Sequence, residues 1–337
     1  MRIRRVVRTL GVTAGALALG SATYQVVSER RERRYYAPPG RLVDVGGHRM
    51  HIWCAGAGSP TVVIIPAIGG TAAHWRTVAD AVAATTAVCV YDRPGLDWSD
   101  AVARWPSAEG IARNLHDLLR AAGVAPPYVV VGHSLGGLAA RMFTHLYPDE
   151  VRGMALIDSS HPQQYRRLPH IWWFDRPIGI LAMVALDFAR PLGLRRLKGR
   201  LGAKPGLGQA DAVSASASAC PHELVLPSRN RRAEDKEQLA LASVCRAVDA
   251  IPGDLGDLPL AVVTSSDLDP NLAEGSEAQR KRSSFYPYWL TLQEELAALS
   301  RDGVHIVAPH AGHQVQGDDP DLVAKAIVDV TLRARSG

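Results

Sequence analysis

The 337-residue chain is poor in aromatic and sulfur-containing side chains. Only 6% of its residues are Phe, Trp or Tyr, and it has five methionines and four cysteines. The cysteines form no CxxC pair and no cluster with histidine, so we expect neither a metal nor a cofactor. Charged residues make up 21% and hydrophobic residues 47% of the chain, which excludes a disordered or collagen-like protein and provides for a sizeable core.

The chain has no net positive charge outside its first 34 residues. That segment has eight arginines and two glutamates, a net charge of +6, whereas the whole chain is +5, so the remainder has a net charge of −1. Because the basic residues flank an apolar segment, they indicate contact with lipid headgroups and argue against nucleic acid as a partner.

Residues 9–28 form an uncharged run of 20 residues behind this basic start. About 20 residues is the helical length that crosses the hydrocarbon core of a bilayer. Two interpretations of residues 1–28 stay open: an uncleaved signal anchor, or a signal peptide cleaved near Gly20-Ser21-Ala22. The following domain would then be anchored outside the cytoplasm or secreted. Residues 29–41, charged and then proline-rich, are predicted to be a linker.

The cysteines favour the same location. Cys54 and Cys89 lie in two predicted strands, and Cys220 and Cys245 lie farther along the chain. Four cysteines allow three pairings. We predict the pairs Cys54 with Cys89 and Cys220 with Cys245, with four unpaired thiols as the alternative. Disulfides would indicate an oxidising compartment.

Residues 42–160 and 255–335 alternate short apolar runs with helical segments. A hairpin with a Gly46-Gly47 turn comes first, because paired glycines accept the positive φ of a tight turn. The predicted strands that follow are 61–65, 87–91, 128–131, 153–157, 260–264 and 304–307; the predicted helices are near 75–84, 108–122, from 135, 289–300 and 321–335. Such alternation is typical of an α/β fold with a doubly wound, mostly parallel sheet.

The alternation stops between residues 161 and 254. This stretch is far longer than an ordinary connection between strands. It contains Trp172, Trp173 and Phe174 and a low-complexity patch at 210–219. We interpret it as a helical cap, or lid, over a site on the sheet.

The most informative motif is Gly132-His133-Ser134-Leu135-Gly136, between a predicted strand and a predicted helix. A nucleophile on such a turn has a strained, exposed backbone, and the glycines prevent collisions with the adjoining strand and helix. The start of the helix offers free N–H groups to an oxyanion. Ser134 is therefore the predicted nucleophile. The predicted oxyanion-hole donors are the N–H groups of Leu135 and of Ile68, which follows the first parallel strand.

A serine nucleophile needs a base and an orienting acid, in the chain order Ser, Asp or Glu, His. His313, beyond the last predicted strand, is the predicted base, and His310 competes with it in the same loop. Three carboxylates remain open as the acid, which orients the imidazole. Asp158, at the end of the strand after the nucleophile helix, is favoured; Asp267 and Asp269 follow the next strand.

These motifs resemble the α/β-hydrolase fold superfamily. The Gly-His-Ser-Leu-Gly-Gly elbow at 132–137, the Tyr-Asp-Arg-Pro-Gly turn at 91–95 and Gly312-His313 carry the resemblance, over residues 40–160 and 255–335. It implies the lipase- and esterase-like branch with a helical cap. Pro66-Ala67 departs from the His-Gly of many members. Members with an aspartate nucleophile open epoxides or displace halide, and Ser134 argues against both reactions.

The predicted function is hydrolysis of carboxylic esters through an acyl-enzyme on Ser134. Aromatic cap residues near a membrane favour a lipophilic acyl group, so the expected partners are a small-molecule or lipid ester and the membrane itself. Two alternatives are an acyltransferase or perhydrolase with the same triad, and a catalytically silent, membrane-tethered binding protein.

Overall fold

The computed structural model describes residues 38–168 and 227–336, together with residues 15, 19–24 and 27. Most of the predicted segment 1–28 and linker 29–41, and residues 169–226 of the predicted cap, lie outside this part. Among the described residues, none of the helices combines the length and the apolar character that crossing a bilayer requires. The membrane segment, the linker and the cap therefore stay predictions.

The chain divides into two compact units, 1–37 with 172–232 and 38–171 with 233–337, and the second unit contains the sheet. Eight strands form this sheet, in the order β1-β2-β4-β3-β5-β6-β7-β8. They are β1 (Arg41–Asp44), β2 (Arg49–Ala55), β3 (Thr61–Ile65), β4 (Val88–Tyr91), β5 (Tyr128–His133), β6 (Val151–Ile157), β7 (Leu260–Thr264) and β8 (Gly303–Val307). The pairs β1-β2 and β2-β4 are antiparallel, and all the others are parallel. The predicted doubly wound, mostly parallel sheet is confirmed.

The described helices are α1 (Arg76–Ala83), α2 (Ala108–Ala121), α3 (Leu135–Leu146), α4 (Gln164–Arg167), α5 (Pro227–Asp249), α6 (Glu277–Ala297), α7 (Val315–Asp318) and α8 (Pro320–Ser336). Two separate apolar clusters cover the two faces of the sheet. Successive side chains of a strand point to opposite faces; accordingly Val63 packs in the cluster of α2, α3 and α5, and Val62 in the cluster of α1 and α8.

Helix α6 begins well before its predicted start near residue 289. The Ser276 hydroxyl caps it by accepting a hydrogen bond from the Gln279 N–H at 3.1 Å. The first half of α6 is rich in polar and charged residues, and Pro287 lies inside the helix. An interior proline usually interrupts a helix, and the polar stretch before it has no apolar face, so the sequence pattern did not show the first three turns.

One of the two predicted disulfides is present. Cys54 and Cys89 are bonded and are direct partners in the pairing of β2 with β4. The second prediction is wrong, because Cys245 is a free thiol. It packs in the apolar cluster beside α2 and α3, and burial raises the pKa of this thiol to about 12. Its predicted partner, Cys220, lies outside the described residues.

Candidate active site

Ser134 lies between the end of β5 and the start of α3, with φ 53° and ψ −118°. Positive φ is strained for a residue with a side chain and needs support from its surroundings. The neighbouring glycines supply it: a Cβ on Gly132 would lie 2.4 Å from the Gly136 carbonyl oxygen, and one on Gly136 would lie 2.0 Å from the Ile65 carbonyl oxygen. Only glycine therefore lets α3 start this close to the sheet.

The predicted oxyanion donors lie on neighbouring segments. The first turn of α3 touches the end of β3, since a Cβ on Gly136 would lie 2.8 Å from the Pro66 carbonyl oxygen. Among the described residues, neither the Leu135 N–H nor the Ile68 N–H has a hydrogen-bond acceptor. Both N–H groups are thus free to bind an anion.

Asp158 directly follows β6, and its side chain is 2% exposed. Its Oδ2 accepts a hydrogen bond from His313 Nδ1 at 2.6 Å. Its Oδ1 accepts three more, from Trp289 Nε1 at 2.8 Å and from the N–H and the hydroxyl of Ser265 at 3.0 and 2.9 Å. Burial acts to raise the pKa of Asp158, but the hydrogen bonds and the charge of His313, with those of Trp289 and Ser265, outweigh it and lower the pKa. The group is therefore an anion at neutral pH.

The other two candidate carboxylates, within the described ranges, make no hydrogen bond to His313. Asp269 packs against Gly312, where a Cβ would lie 2.4 Å from its Oδ2, so this carboxylate contacts the backbone beside the histidine. The Asp267 backbone carbonyl accepts a hydrogen bond from α6. Of the three aspartates, Asp158 is the one hydrogen bonded to His313. His310, the competing histidine, is exposed on the loop.

His133, the residue before the serine, holds the loop of His313. Its Nε2 lies 2.8 Å from the His313 carbonyl oxygen, which can only accept, so Nε2 carries the proton. Burial, together with the charge of His313, lowers the pKa of His133 to about 3, and the ring is neutral at pH 7. Sequence reasoning gave this residue no role beyond its place in the motif.

The serine hydroxyl itself is not engaged. Among the described residues, the Ser134 hydroxyl has no hydrogen-bond partner, and it does not cap α3. Ser134 nevertheless lies near the loop of His313, because the ring of the preceding residue, His133, is close to the ring of His313. The centroids of these two imidazole rings are 4.9 Å apart. Contacts between a nucleophile and its base often tighten only when substrate binds.

An ion pair between two buried charged side chains lies beside the site, and the sequence did not show this pairing. Arg93, in the turn at 91–95, forms an ion pair with Glu237 of α5, and the two side chains are 2% and 4% exposed. Arg93 and Glu237 are 144 residues apart in the chain, so no local sequence pattern could show that they pair.

As for metals, no group of three or more His, Cys, Asp or Glu in the described ranges is arranged as a binding site.

Comparison with known proteins gives one family. Residues 60–195 match the sequence model of the alpha/beta hydrolase fold. An uncharacterized protein of Schizosaccharomyces pombe is 26% identical over 253 residues, which are 73% of this chain and 41% of that protein. The chain likewise spans less than half the length of two further curated relatives, at 31% and 27% identity.

Solved structures agree on the fold. A thermophilic esterase from Thermogutta terrifontis has 17% identity and a TM-score of 0.58, and the match covers 87% of this chain and 97% of that one. The epoxide hydrolase CorEH has 20% identity, the same TM-score of 0.58 and the same coverage of 87% and 97%. Because enzymes of two chemistries match equally well, the likeness shows the fold and not the reaction. The family match over residues 60–195 and the sheet topology together show that this chain has the α/β-hydrolase fold.

Proposed function

We propose that the chain is a serine hydrolase that cleaves carboxylic esters, with Ser134 as nucleophile, His313 as base and Asp158 as the orienting acid. The observation that carries the proposal is the 2.6 Å hydrogen bond from His313 Nδ1 to the buried Asp158 carboxylate, at the strand end beside the elbow. A carboxylate in this place fixes the proton on Nδ1 and leaves Nε2 free to accept another.

The chemistry follows from this arrangement. The Ser134 hydroxyl turns toward His313, whose Nε2 takes its proton as the oxygen attacks the ester carbonyl. The negative charge on the former carbonyl oxygen is bound by the N–H groups of Leu135 and Ile68, which have no acceptor within the described part of the chain. His313 then protonates the leaving alcohol, and a water molecule activated by the same imidazole hydrolyses the acyl-enzyme.

The type of nucleophile favours esters over epoxides. Opening an epoxide on this fold uses an aspartate whose ester intermediate is hydrolysed, whereas position 134 is a serine on a strained turn with free N–H groups beside it. Those N–H groups stabilise a tetrahedral oxyanion, an intermediate that belongs to acyl transfer.

We further propose a lipophilic acyl group and an extracytoplasmic location. The Cys54–Cys89 disulfide supports an oxidising compartment. The aromatic residues at 172–174 and the segment 1–28, which motivate the acyl preference and the membrane attachment, lie outside the described residues.

The test is a series of p-nitrophenyl esters of increasing chain length, combined with fluorophosphonate labelling. We expect hydrolysis and labelling by the wild type and loss of both in Ser134→Ala. Ser284→Ala should change neither; it is a matched control on the exposed face of α6, where the hydroxyl donates to the Lys281 carbonyl oxygen. A wild type that labels no better than Ser134→Ala would mean a silent binding protein. A rate that rises mainly on addition of an alcohol or peroxide would identify the transferase or perhydrolase.

A further inference from the structure

The loop after β3, residues 66–70, is held by two buried charged side chains from other parts of the chain. Arg93 donates from Nη1 to the Pro66 carbonyl oxygen at 2.6 Å and from Nη2 to the Ala67 carbonyl oxygen at 2.5 Å. Glu237, on α5, accepts the Gly69 N–H at 2.9 Å. The loop thus has three backbone anchors on one ion pair.

The ion pair is itself closely defined. Arg93 Nε and Nη2 donate to the two carboxylate oxygens of Glu237, at 2.6 and 2.9 Å. Burial acts to lower the pKa of Arg93, but Glu237 outweighs it and the pKa is raised, so the guanidinium stays charged. Two parallel N–H···O bonds fix the plane of the guanidinium as well as its position.

This anchoring sets the direction of the N–H groups that the reaction needs. The peptides on either side of Ala67 are trans, since the cis bonds of the described chain are at Pro60 and Pro127. In a trans peptide the N–H points opposite to the C=O. With both carbonyl oxygens bound by Arg93, the N–H groups of Ala67 and Ile68 point away from it. The loop lies against the first turn of α3, where Ser134 stands.

We propose that Arg93 and Glu237 are positioning residues for the oxyanion hole, through which α5 determines the direction of the Ile68 N–H. This inference rests on the proposed serine-hydrolase function and adds to it a requirement for two residues that touch neither substrate nor triad. Because Glu237 lies on α5 and binds the Gly69 N–H, the anchoring of the loop requires this helix to be packed on the core.

The test compares Glu237→Gln and Arg93→Lys with Val248→Ala. Glutamine offers one acceptor in place of two, so either the guanidinium or the Gly69 N–H loses its partner. Lysine keeps a positive charge opposite Glu237, so it leaves no unpaired buried charge, but an ammonium group cannot reproduce the planar fork. Val248 is a fully buried residue of α5, about three helical turns from Glu237, and its replacement controls for loss of helix packing.

Kinetics on a p-nitrophenyl ester, normalised to active sites counted with a fluorophosphonate, give the decisive readout. Loss of an entire oxyanion donor costs about 10²- to 10³-fold in kcat, so we expect both charge variants to lose at least about tenfold in kcat with KM within about threefold. A trifluoromethyl ketone, which forms an oxyanion on the serine, should bind more weakly by the same factor. Val248→Ala should keep its kcat per active site.

Two outcomes overturn the inference. One is that Arg93→Lys and Glu237→Gln keep wild-type kcat and inhibitor affinity per titrated site; the other is that Val248→Ala loses as much as they do. Failure of the proposed function is distinguishable, since the wild type would then neither label nor depend on Ser134. If Glu237→Gln does not fold, Arg93→Lys decides.

Discussion

Replacement of Asp158 by asparagine exchanges one carboxylate oxygen for an amide at almost constant volume. Three donors converge on Oδ1, namely Trp289 Nε1 and the N–H and hydroxyl of Ser265. The amide oxygen must take this position, because the NH₂ group cannot accept from three donors. The NH₂ group then faces His313 Nδ1 in place of Oδ2.

An NH₂ group in that position reverses the histidine tautomer. It donates to Nδ1, which must be unprotonated to accept, so the single imidazole proton moves to Nε2. Nε2 then has no lone pair for the proton of Ser134. A wrong tautomer with intact geometry costs a triad about 10⁴-fold in kcat, equivalent to about 5.5 kcal/mol of transition-state stabilisation.

Steady-state hydrolysis of a p-nitrophenyl ester measures the effect, with folding checked by circular dichroism. Asp269→Asn is the matched control, since Asp269 lies against Gly312 beside the histidine without bonding the imidazole; it should stay within about threefold of wild type. The reasoning is refuted if Asp158→Asn keeps a tenth or more of the wild-type kcat, or if Asp269→Asn loses as much.

Three further predictions concern stability. In Gly136→Ala the new Cβ would meet the backbone at the end of β3 at 2.0 Å, so the free energy of unfolding should fall by about 1–3 kcal/mol or more. The control Gly317→Ala, which places its Cβ with no atom within 4 Å, should show no such loss. Thermal denaturation compares the two variants, and equal midpoints would contradict the contact. His133 has a pKa of about 3 when folded and 6.5 as a free side chain, so between these values only the unfolded chain binds the proton and the free energy of unfolding falls as pH falls. From pH 5.5 to 4.5, urea denaturation should show a free energy of unfolding that falls more steeply in the wild type than in His133→Gln, by about 1.4 kcal/mol per pH unit. Parallel slopes for the two proteins would exclude a buried neutral ring. Replacing Cys54 and Cys89 together by serine removes a cross-link between residues 35 apart and should lower the free energy of unfolding by about 3–4 kcal/mol in chemical denaturation. Reduction of the wild type should cause the same loss, and an unchanged denaturation midpoint would contradict the prediction.

Local patterns were sufficient for the strand-to-helix turn at Ser134 and for most of the sheet. The glycines around Ser134 show where a helix starts tightly against a strand, because that contact is made by residues next to each other in the chain. The strands at 61–65 and 260–264 have the predicted bounds, since buried parallel strands are continuous apolar runs. Helix α6 shows the limit of such patterns: its polar first half is stabilised by a cap and by the tertiary structure, not by an apolar face.

The same distinction explains the cysteines. Cys54 and Cys89 lie in two strands that the hairpin and the sheet order make neighbours, and they face each other in register. The predicted pairing of Cys245 with Cys220 had no such support, because the segment between residues 161 and 254 shows no regular pattern of strands and helices. Its thiol packs in the core instead, where a cysteine behaves as a small apolar residue.

The sequence by itself determined the fold class, the glycine-flanked turn at Ser134 and the short set of candidate bases and acids, because each depends on a pattern of a few consecutive residues. The tertiary structure alone decided which aspartate meets His313, because that depends on where Trp289 and Ser265 place their donors around one strand end. It also decided that Arg93 and Glu237 meet beneath the loop at 66–70. Contacts between segments more than a hundred residues apart follow from how the helices pack on the sheet, and no local pattern of residues encodes that packing.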